Sequence, residues 1–157
     1  MRVPPLCFPI LALSFGFTLA ACAGADLPRV TSQLECDTGG GQTSQCTLTL
    51  TDPAGYRITL TNGNCDALNT EIRLVSPIRV PLTTDACRAT VGTVWDYSTP
   101  INPAGTEINL EIDSDQFANP PSLRVTGAYP SWEVSFEDGY DIDFNDVVLT
   151  VQAVPGT

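Results

Sequence analysis

Residues 132–151 read WEVSFEDGYDIDFNDVVLTV, and within ten positions of this stretch stand Glu137, Asp138, Asp141, Asp143 and Asp146. Crowded carboxylates suit two kinds of chemistry: a proton-sharing catalytic pair, or an oxygen cage for a hard cation. At about 5 Å and an effective dielectric near 20, each like-charge pair repels by about 3 kcal/mol before salt screening. The spacing keeps these acids from spreading apart. Ile142 and Phe144 alternate with Asp141, Asp143 and Asn145, so on an extended segment two apolar anchors face the core and three oxygen-bearing side chains face outward, about 6–7 Å apart. The inward face is then taken by Val147, Leu149 and Val151, an odd number of positions from Phe144. A bulge at residues 145–146 would absorb the extra residue and turn Asp146 toward its neighbours. A cation that takes six to eight oxygens offsets the repulsion, and in an extracellular setting Ca²⁺ is the natural candidate. The rival reading is a solvated acidic turn with no ion.

Asp141-x-Asp143-x-Asn145 resembles the start of an EF-hand loop, but Asp146 stands where that loop needs glycine and Gln152 where it needs a bidentate glutamate. A helical EF-hand is excluded. Residues 136–151 more closely resemble a motif closing many exported bacterial β-sandwich domains of unknown function, written F-E-D-G-x-D-x-D-[FY]-N-D and followed by a hydrophobic strand. Surface, adhesin-like and PEP-CTERM-type anchored proteins carry such domains. The resemblance covers about a tenth of the chain. It implies a calcium site formed by Asp138, Asp141, Asp143, Asn145 and Asp146.

Catalytic alternatives find little support. The chain contains no histidine, and its seven basic residues are all arginine. Ser–His, Cys–His and Ser–Lys couples and Schiff-base chemistry are therefore unavailable. Asp37-Thr38-Gly39 matches the aspartic-protease tripeptide, but it occurs once where two carboxylates must share a proton. Glu107, Glu111, Glu133 and Glu137 could supply a glycosidase pair, yet each falls on the polar face of an expected strand. The chain reads as a non-catalytic structural or binding module.

The N-terminus has one basic residue, Arg2, then an apolar run from about Leu6 to Ala21. This is the layout of an export signal over residues 1–21, and its unbroken apolar part is short of the ~20 residues of a spanning helix. Leu19-Ala20-Ala21-Cys22 resembles the lipobox of bacterial lipoproteins. That resemblance implies diacylation of Cys22, a tether over 22–29 and, with Ala23 next, sorting to an outer membrane if one is present. Ordinary cleavage after Ala23-Gly24-Ala25 is the alternative, leaving a secreted or periplasmic protein. Six arginines against eighteen acids remain after residue 21, a net charge of 6 − 18 = −12. Nucleic acid is excluded as a partner on this charge. Expected partners are the membrane, through the anchor, and envelope glycans or another surface protein.

Past the signal, Cys36, Cys46, Cys65 and Cys87 remain, an even number in an exported chain. Three pairings are open. Cys36–Cys46 and Cys65–Cys87 close the smaller loops and are favoured. The absence of histidine and of any C-x-x-C pair argues against zinc.

The elements that must position the acidic turn show period-2 alternation. Leu48 and Leu50, then Tyr56, Ile58 and Leu60, flank Asp52-Pro53-Ala54-Gly55, which predicts a β-hairpin. Further strands are expected near 30–36, 71–75, 89–95 (Val91 and Val94 inward), 106–113, 123–128, 131–137 and 147–153. Eight or nine short strands with one apolar face each predict an all-β, antiparallel β-sandwich over residues 30–154, with a jelly-roll-like order allowed. Asp52-Pro-Ala-Gly recurs as Asn102-Pro-Ala-Gly, read as one turn solution used twice. Of the aromatics available for a sugar platform (Trp95, Tyr97, Tyr129, Trp132 and Tyr140), Trp132 alternates with Val134 and Phe136 and is assigned to the core.

Overall fold

The computed structural model of the chain describes residues 34–36, 43–65, 69–114, 121–137 and 143–156. Alternating apolar residues form ten antiparallel strands: β1 (Leu34–Glu35), β2 (Thr43–Thr49), β3 (Ala54–Gly63), β4 (Glu71–Ser76), β5 (Val80–Thr83), β6 (Val94–Asn102), β7 (Glu107–Asp113), β8 (Ser122–Ala128), β9 (Ser131–Glu137) and β10 (Val147–Pro155). Nine have four or more residues, and β1 is a two-residue edge. They divide into a six-stranded sheet, β1-β8-β9-β10-β3-β6, and a four-stranded sheet, β2-β7-β4-β5. The expected antiparallel sandwich is therefore present. Six of the nine connections cross between sheets, as in a jelly roll, while the β8-β9-β10 meander and the uneven division depart from one.

The core lies between the sheets. Ile58, Leu60, Val134, Phe136, Leu149 and Val151 of the larger sheet meet Leu48, Ile72, Leu74, Ile108, Leu110 and Ile112 of the smaller, all buried. Each such side chain contributes about 1.5–3 kcal/mol relative to exposure. Tyr56 is also buried and stacks on Tyr97 at 5.2 Å between ring centroids. Burial pushes the Tyr56 hydroxyl well above its ordinary pKa.

Two expectations need correction. The predicted hairpin across residues 50–55 does not form: β2 pairs with β7, while β3 pairs with β10 and β6. The turn is a crossing from one sheet to the other, and alternation cannot separate the two cases because the inner face is apolar in both. Residues 89–93 are not strand, and Val91 and Val94 are exposed, at 54% and 48%. That segment instead follows a 3₁₀ turn at Ala86–Arg88, with strand beginning at Val94. Of the strand expected at 30–36, only Leu34–Glu35 falls within the described residues as strand, against Val125 and Arg124 of β8.

Because every strand reverses direction, the connections sort to two ends. The turn end holds the β2–β3, β4–β5, β6–β7 and β8–β9 connections, each containing a proline: Pro53, Pro77, Pro103 and Pro130. The repeated Pro-Ala-Gly turns meet here, where the Leu50 amide donates to the Thr106 carbonyl (3.0 Å) and the Gly105 amide to the Leu50 carbonyl (2.7 Å). Their conformations differ. Gly105 has φ +84° in a turn, whereas Gly55 is strand, where a Cβ would run into the Ser98 backbone. Shared turn chemistry, rather than a repeated structure, explains the echo. The loop end gathers the five longer connections, including the segment between β9 and β10 that carries the acids.

The bridges are Cys36–Cys46 and Cys65–Cys87, the favoured pairing. Cys36, Cys65 and Cys87 stand in loop-end connections. In the chain-entropy account each closure contributes about 3 kcal/mol. Two disulfides mark an oxidising, extracytoplasmic setting.

Candidate functional site: the acidic turn at the loop end

Three neighbouring strands, β9, β10 and β3, converge on the acidic turn, with Val147 opposite both Phe136 and Gly63. Glu137 ends β9 in the same phase as the exposed Ser131 and Glu133, so the sequence places it in solvent. It is instead buried at 2% exposure, and its Oε2 accepts the Phe144 amide at 3.1 Å. The returning chain covers it.

Phe144 departs from its expected position. Rather than anchoring in the core on an extended segment, it adopts a left-handed φ of +60° and is only half-buried. A bulky residue takes that conformation at a cost, and two contacts hold it. One is the hydrogen bond its backbone N–H donates to Glu137; the other sets the Arg124 guanidinium 4.4 Å from the ring centroid. Leu123 and Val125 point inward, so Arg124 belongs to the outer face of the large sheet. The ring thus packs on the outside of the sandwich, not inside it. Arg124 Nε is buried with no hydrogen-bond partner among the described residues, and desolvation of a cation strengthens its attraction to a ring.

The phase slip has the same cause. The expected bulge at residues 145–146 is absent from the described chain, and the left-handed turn at Phe144 resets the alternation before β10 begins. A register shift does occur at Val148/Leu149, where the pairing with β3 skips Thr61.

Asp143 Oδ1 accepts the Asn145 amide at 3.1 Å, and Asp143 Oδ2 accepts from Asn145 Nδ2. The turn is tied to β3 and its exit: Asn62 Nδ2 donates to the Asn145 carbonyl, and the Asn64 amide to the Asp146 carbonyl at 2.8 Å. Asp143 and Asn145 are exposed and Asp146 is half-buried. Asp138 and Asp141, the other expected ligands, lie outside the described residues, as do Cys22, Asp37, Tyr140 and Ile142. Among the described residues, no group of three or more acids, cysteines or histidines is placed to hold a metal. The donor set still suits a hard cation. Each Asp143 oxygen keeps a lone pair beside the hydrogen bond it accepts, and Asn145, with Nδ2 turned to Asp143, leaves Oδ1 as the oxygen it could offer. The sequence marks Glu137 as one of the crowded acids but not as the buried acceptor under Phe144, and it does not single out Asn62 or Asn64. Only the Asn-Gly-Asn at the end of a strand hinted at a polar clasp.

Among the described residues, the loop-end connections contain Asp85, Asp143 and Asp146 with Arg88, and the turn-end connections contain Asp52 and Arg79. Other charges pair on the sheet faces. On the outer face of the small sheet, Arg73 binds Glu71 through Nε (2.7 Å) and Nη2 (2.5 Å), Glu111 through Nη1 (2.8 Å) and Asp113 through Nη2 (3.2 Å). The Arg73 hydrogen bond holds the Glu71 carboxyl below the usual carboxylate range, and Glu71 in turn raises Arg73. Glu111 is nearly buried, held also by Gln45 Nε2 at 2.5 Å. Glu107 and Glu111 are on the small sheet and Glu133 and Glu137 on the large one.

Tyr129 and Trp132 meet edge-to-face at 5.9 Å. With Leu48 and the threonines of β2 and its exit, they line an uncharged groove of about 440 Å³ near the turn end, away from the acids. Trp132 is buried, as expected for a core residue. Comparison with known protein families, with curated proteins and with solved structures returned no match.

Proposed function

We propose that this is an exported, lipid-anchored β-sandwich protein of the cell envelope, a non-catalytic structural or binding module whose 138–146 turn holds a structural Ca²⁺. The observation carrying this reading is the clasp that fixes the turn on three strands: Phe144 to Glu137, Asn62 to Asn145, and Asn64 to Asp146. A solvated acidic loop has no need of such fixing; an ion site does, because ligands must be held within a narrow geometry before the cation arrives. The two disulfides support export. The lipobox resemblance at Cys22 and the motif resemblance over residues 136–151 support the anchor and the ion. Asp138, Asp141, Asp143, Asn145 and Asp146 supply the oxygens, with water completing the shell.

Thermal melts in millimolar CaCl₂ and in EDTA provide the test. Calcium should raise the midpoint by several degrees, since an ion at 100 times its Kd adds about 2.7 kcal/mol. Asp143→Ala should abolish that rise. Identical melts in both buffers, with wild-type stability for Asp143→Ala, would end the calcium reading.

A calcium-dependent carbohydrate-binding or adhesion module is the second reading, in which open coordination positions of the ion take sugar hydroxyls. The exposure of Asp143 and Asn145 favours it. A glycan array with and without Ca²⁺ separates the two, because a purely structural ion gives calcium-dependent stability and no glycan binding.

A further inference from the structure

We propose that Thr70, Ser114 and Asp85 form an internal polar site at the loop end of the small sheet, where one ordered water joins three separate connections of the fold. The site is distinct from the acidic turn and needs no cation. Strand register places it. β7, β4 and β5 are neighbours in the small sheet, with Ile72 of β4 opposite both Ile112 of β7 and Thr83 of β5. Glu71 pairs with Asp113, so Thr70 and Ser114 each stand one position further toward the loop end. Thr70 shares the inward phase of the buried Ile72 and Leu74, and Ser114 that of Leu110 and Ile112. Side chains opposite each other on one face of such a ladder have Cβ atoms about 4.5–5.5 Å apart. On the other side of β4 the Ala86 amide donates to the Thr70 carbonyl at 2.8 Å, which brings Asp85 alongside.

The chemistry of the three side chains selects the occupant. Thr70 and Ser114 are 0% and 3% exposed. Thr70 Oγ1, Ser114 Oγ and Asp85 Oδ1 are all buried, and none has a hydrogen-bond partner among the described residues. Asp85 stands at the N-cap of the 3₁₀ turn Ala86–Arg88, yet its carboxylate does not cap that turn. Its outer oxygen, Oδ2, lies 3.7 Å from Arg88 Nε, which leaves Oδ1 for the interior. Unsatisfied buried oxygens are costly, a carboxylate oxygen most of all. Each hydroxyl can donate once and accept, whereas the carboxylate only accepts. A single water closes this count: it donates to Asp85 Oδ1 and to one hydroxyl, and accepts from the other. Three bonds is the usual number for an internal water. Ca²⁺ takes six to eight oxygens, twice what this row offers. The water thereby links the β3–β4, β5–β6 and β7–β8 connections, to which the three residues belong.

A double-mutant cycle and a crystal structure test the site. Thr70→Val and Ser114→Ala each remove a hydroxyl with little change of shape. Each should lower the melting midpoint by a few degrees, equally in millimolar CaCl₂ and in EDTA. The double variant should lose less than the sum of the two, because both hydroxyls act on one water. In crystals grown in EDTA, one density peak should lie about 2.6–3.1 Å from all three oxygens. Additive losses, or hydroxyls bonded directly to Asp85 with no peak between them, overturn the shared water. Losses that appear only in CaCl₂, or a peak present only in calcium-grown crystals, overturn it in favour of a second cation site.

Discussion

The two ends of this sandwich solve the problem of reversing a strand in different ways. At the turn end, each connection spans a few residues, contains proline, and carries almost no charge. Proline's fixed φ removes conformational freedom from the unfolded chain, and backbone hydrogen bonds such as Leu50 to Thr106 and Gly105 to Leu50 complete these reversals. At the loop end the connections are longer and rich in aspartate. There the described chain is fastened by side chains and covalent bonds: the Cys65–Cys87 bridge, the carboxylate of Glu137 under Phe144, and the clasp of Asn62 and Asn64. One end is held by proline-fixed turns, and the other by side-chain and covalent fasteners.

The largest test of that contrast removes a fastener. Cys65→Ser with Cys87→Ser should cost about 3 kcal/mol, lowering the melting midpoint by roughly 10 °C. At the turn end, Pro103→Ala should cost less than about 1 kcal/mol, because only unfolded-state freedom changes. Equal losses in thermal melts would show that the two ends are not held differently.

A smaller effect is expected at Glu137. Glu137→Leu fills the volume but leaves the Phe144 amide without its acceptor, a loss of about 1–3 kcal/mol for a buried donor. Glu137→Gln keeps a carbonyl oxygen in reach and should lose less. Urea titrations measure both. If the clasp orders the acidic turn for an ion, Glu137→Leu should also erase the calcium-dependent rise in midpoint. A full calcium response in Glu137→Leu would break the link between fastening and ligand binding.

Much of the architecture was legible in the sequence because burial leaves a period. Ile72 and Leu74, or Ile108, Leu110 and Ile112, alternate cleanly and are fully buried. The disulfide pairing followed from loop size. Where a strand buries little, the signal vanished: β6 lies at a sheet edge with Val94 and Ile101 exposed, and its residues 96–102 were not recognised as strand. The hairpin across residues 50–55 was misread for a different reason. A turn that crosses between sheets and one that stays within a sheet need the same residues, and only the strand partners distinguish them. In the acidic turn, the crowding of acids was visible but its support was not. Phase alone placed Phe144 inside, whereas a left-handed backbone and the cation of Arg124 put it outside. Glu137 looked solvated because nothing in its own strand reveals that the chain comes back over it.

The least effect is expected from the charges that belong to neither end. Asp96 lies on a strand face and is fully exposed; hydrogen bonds from the Ser98 hydroxyl and amide, and then Arg57, lower its pKa to about 2. Glu71 is lowered in the same direction, first by its hydrogen bond from Arg73. A carboxyl with a depressed folded-state pKa contributes stability that is present above its unfolded value, about 4, and lost as pH falls through the folded value. For Asp96 the window is therefore about pH 4 down to about pH 2. Asp96→Asn should lower the melting midpoint slightly at pH 6 and progressively less as the pH falls toward 2, where about half of the wild-type side chains carry a proton. Exposed pairs contribute little in water, so the difference should be no more than a degree or two. Screening sharpens the comparison. Added NaCl at pH 6 should shrink the Asp96 effect while leaving the Cys65–Cys87 effect unchanged, because salt weakens an exposed ion pair and does nothing to a covalent closure. If salt instead reduced both, the loop end would owe its stability to charge rather than to its fasteners, and the distinction between the two ends would have to be redrawn.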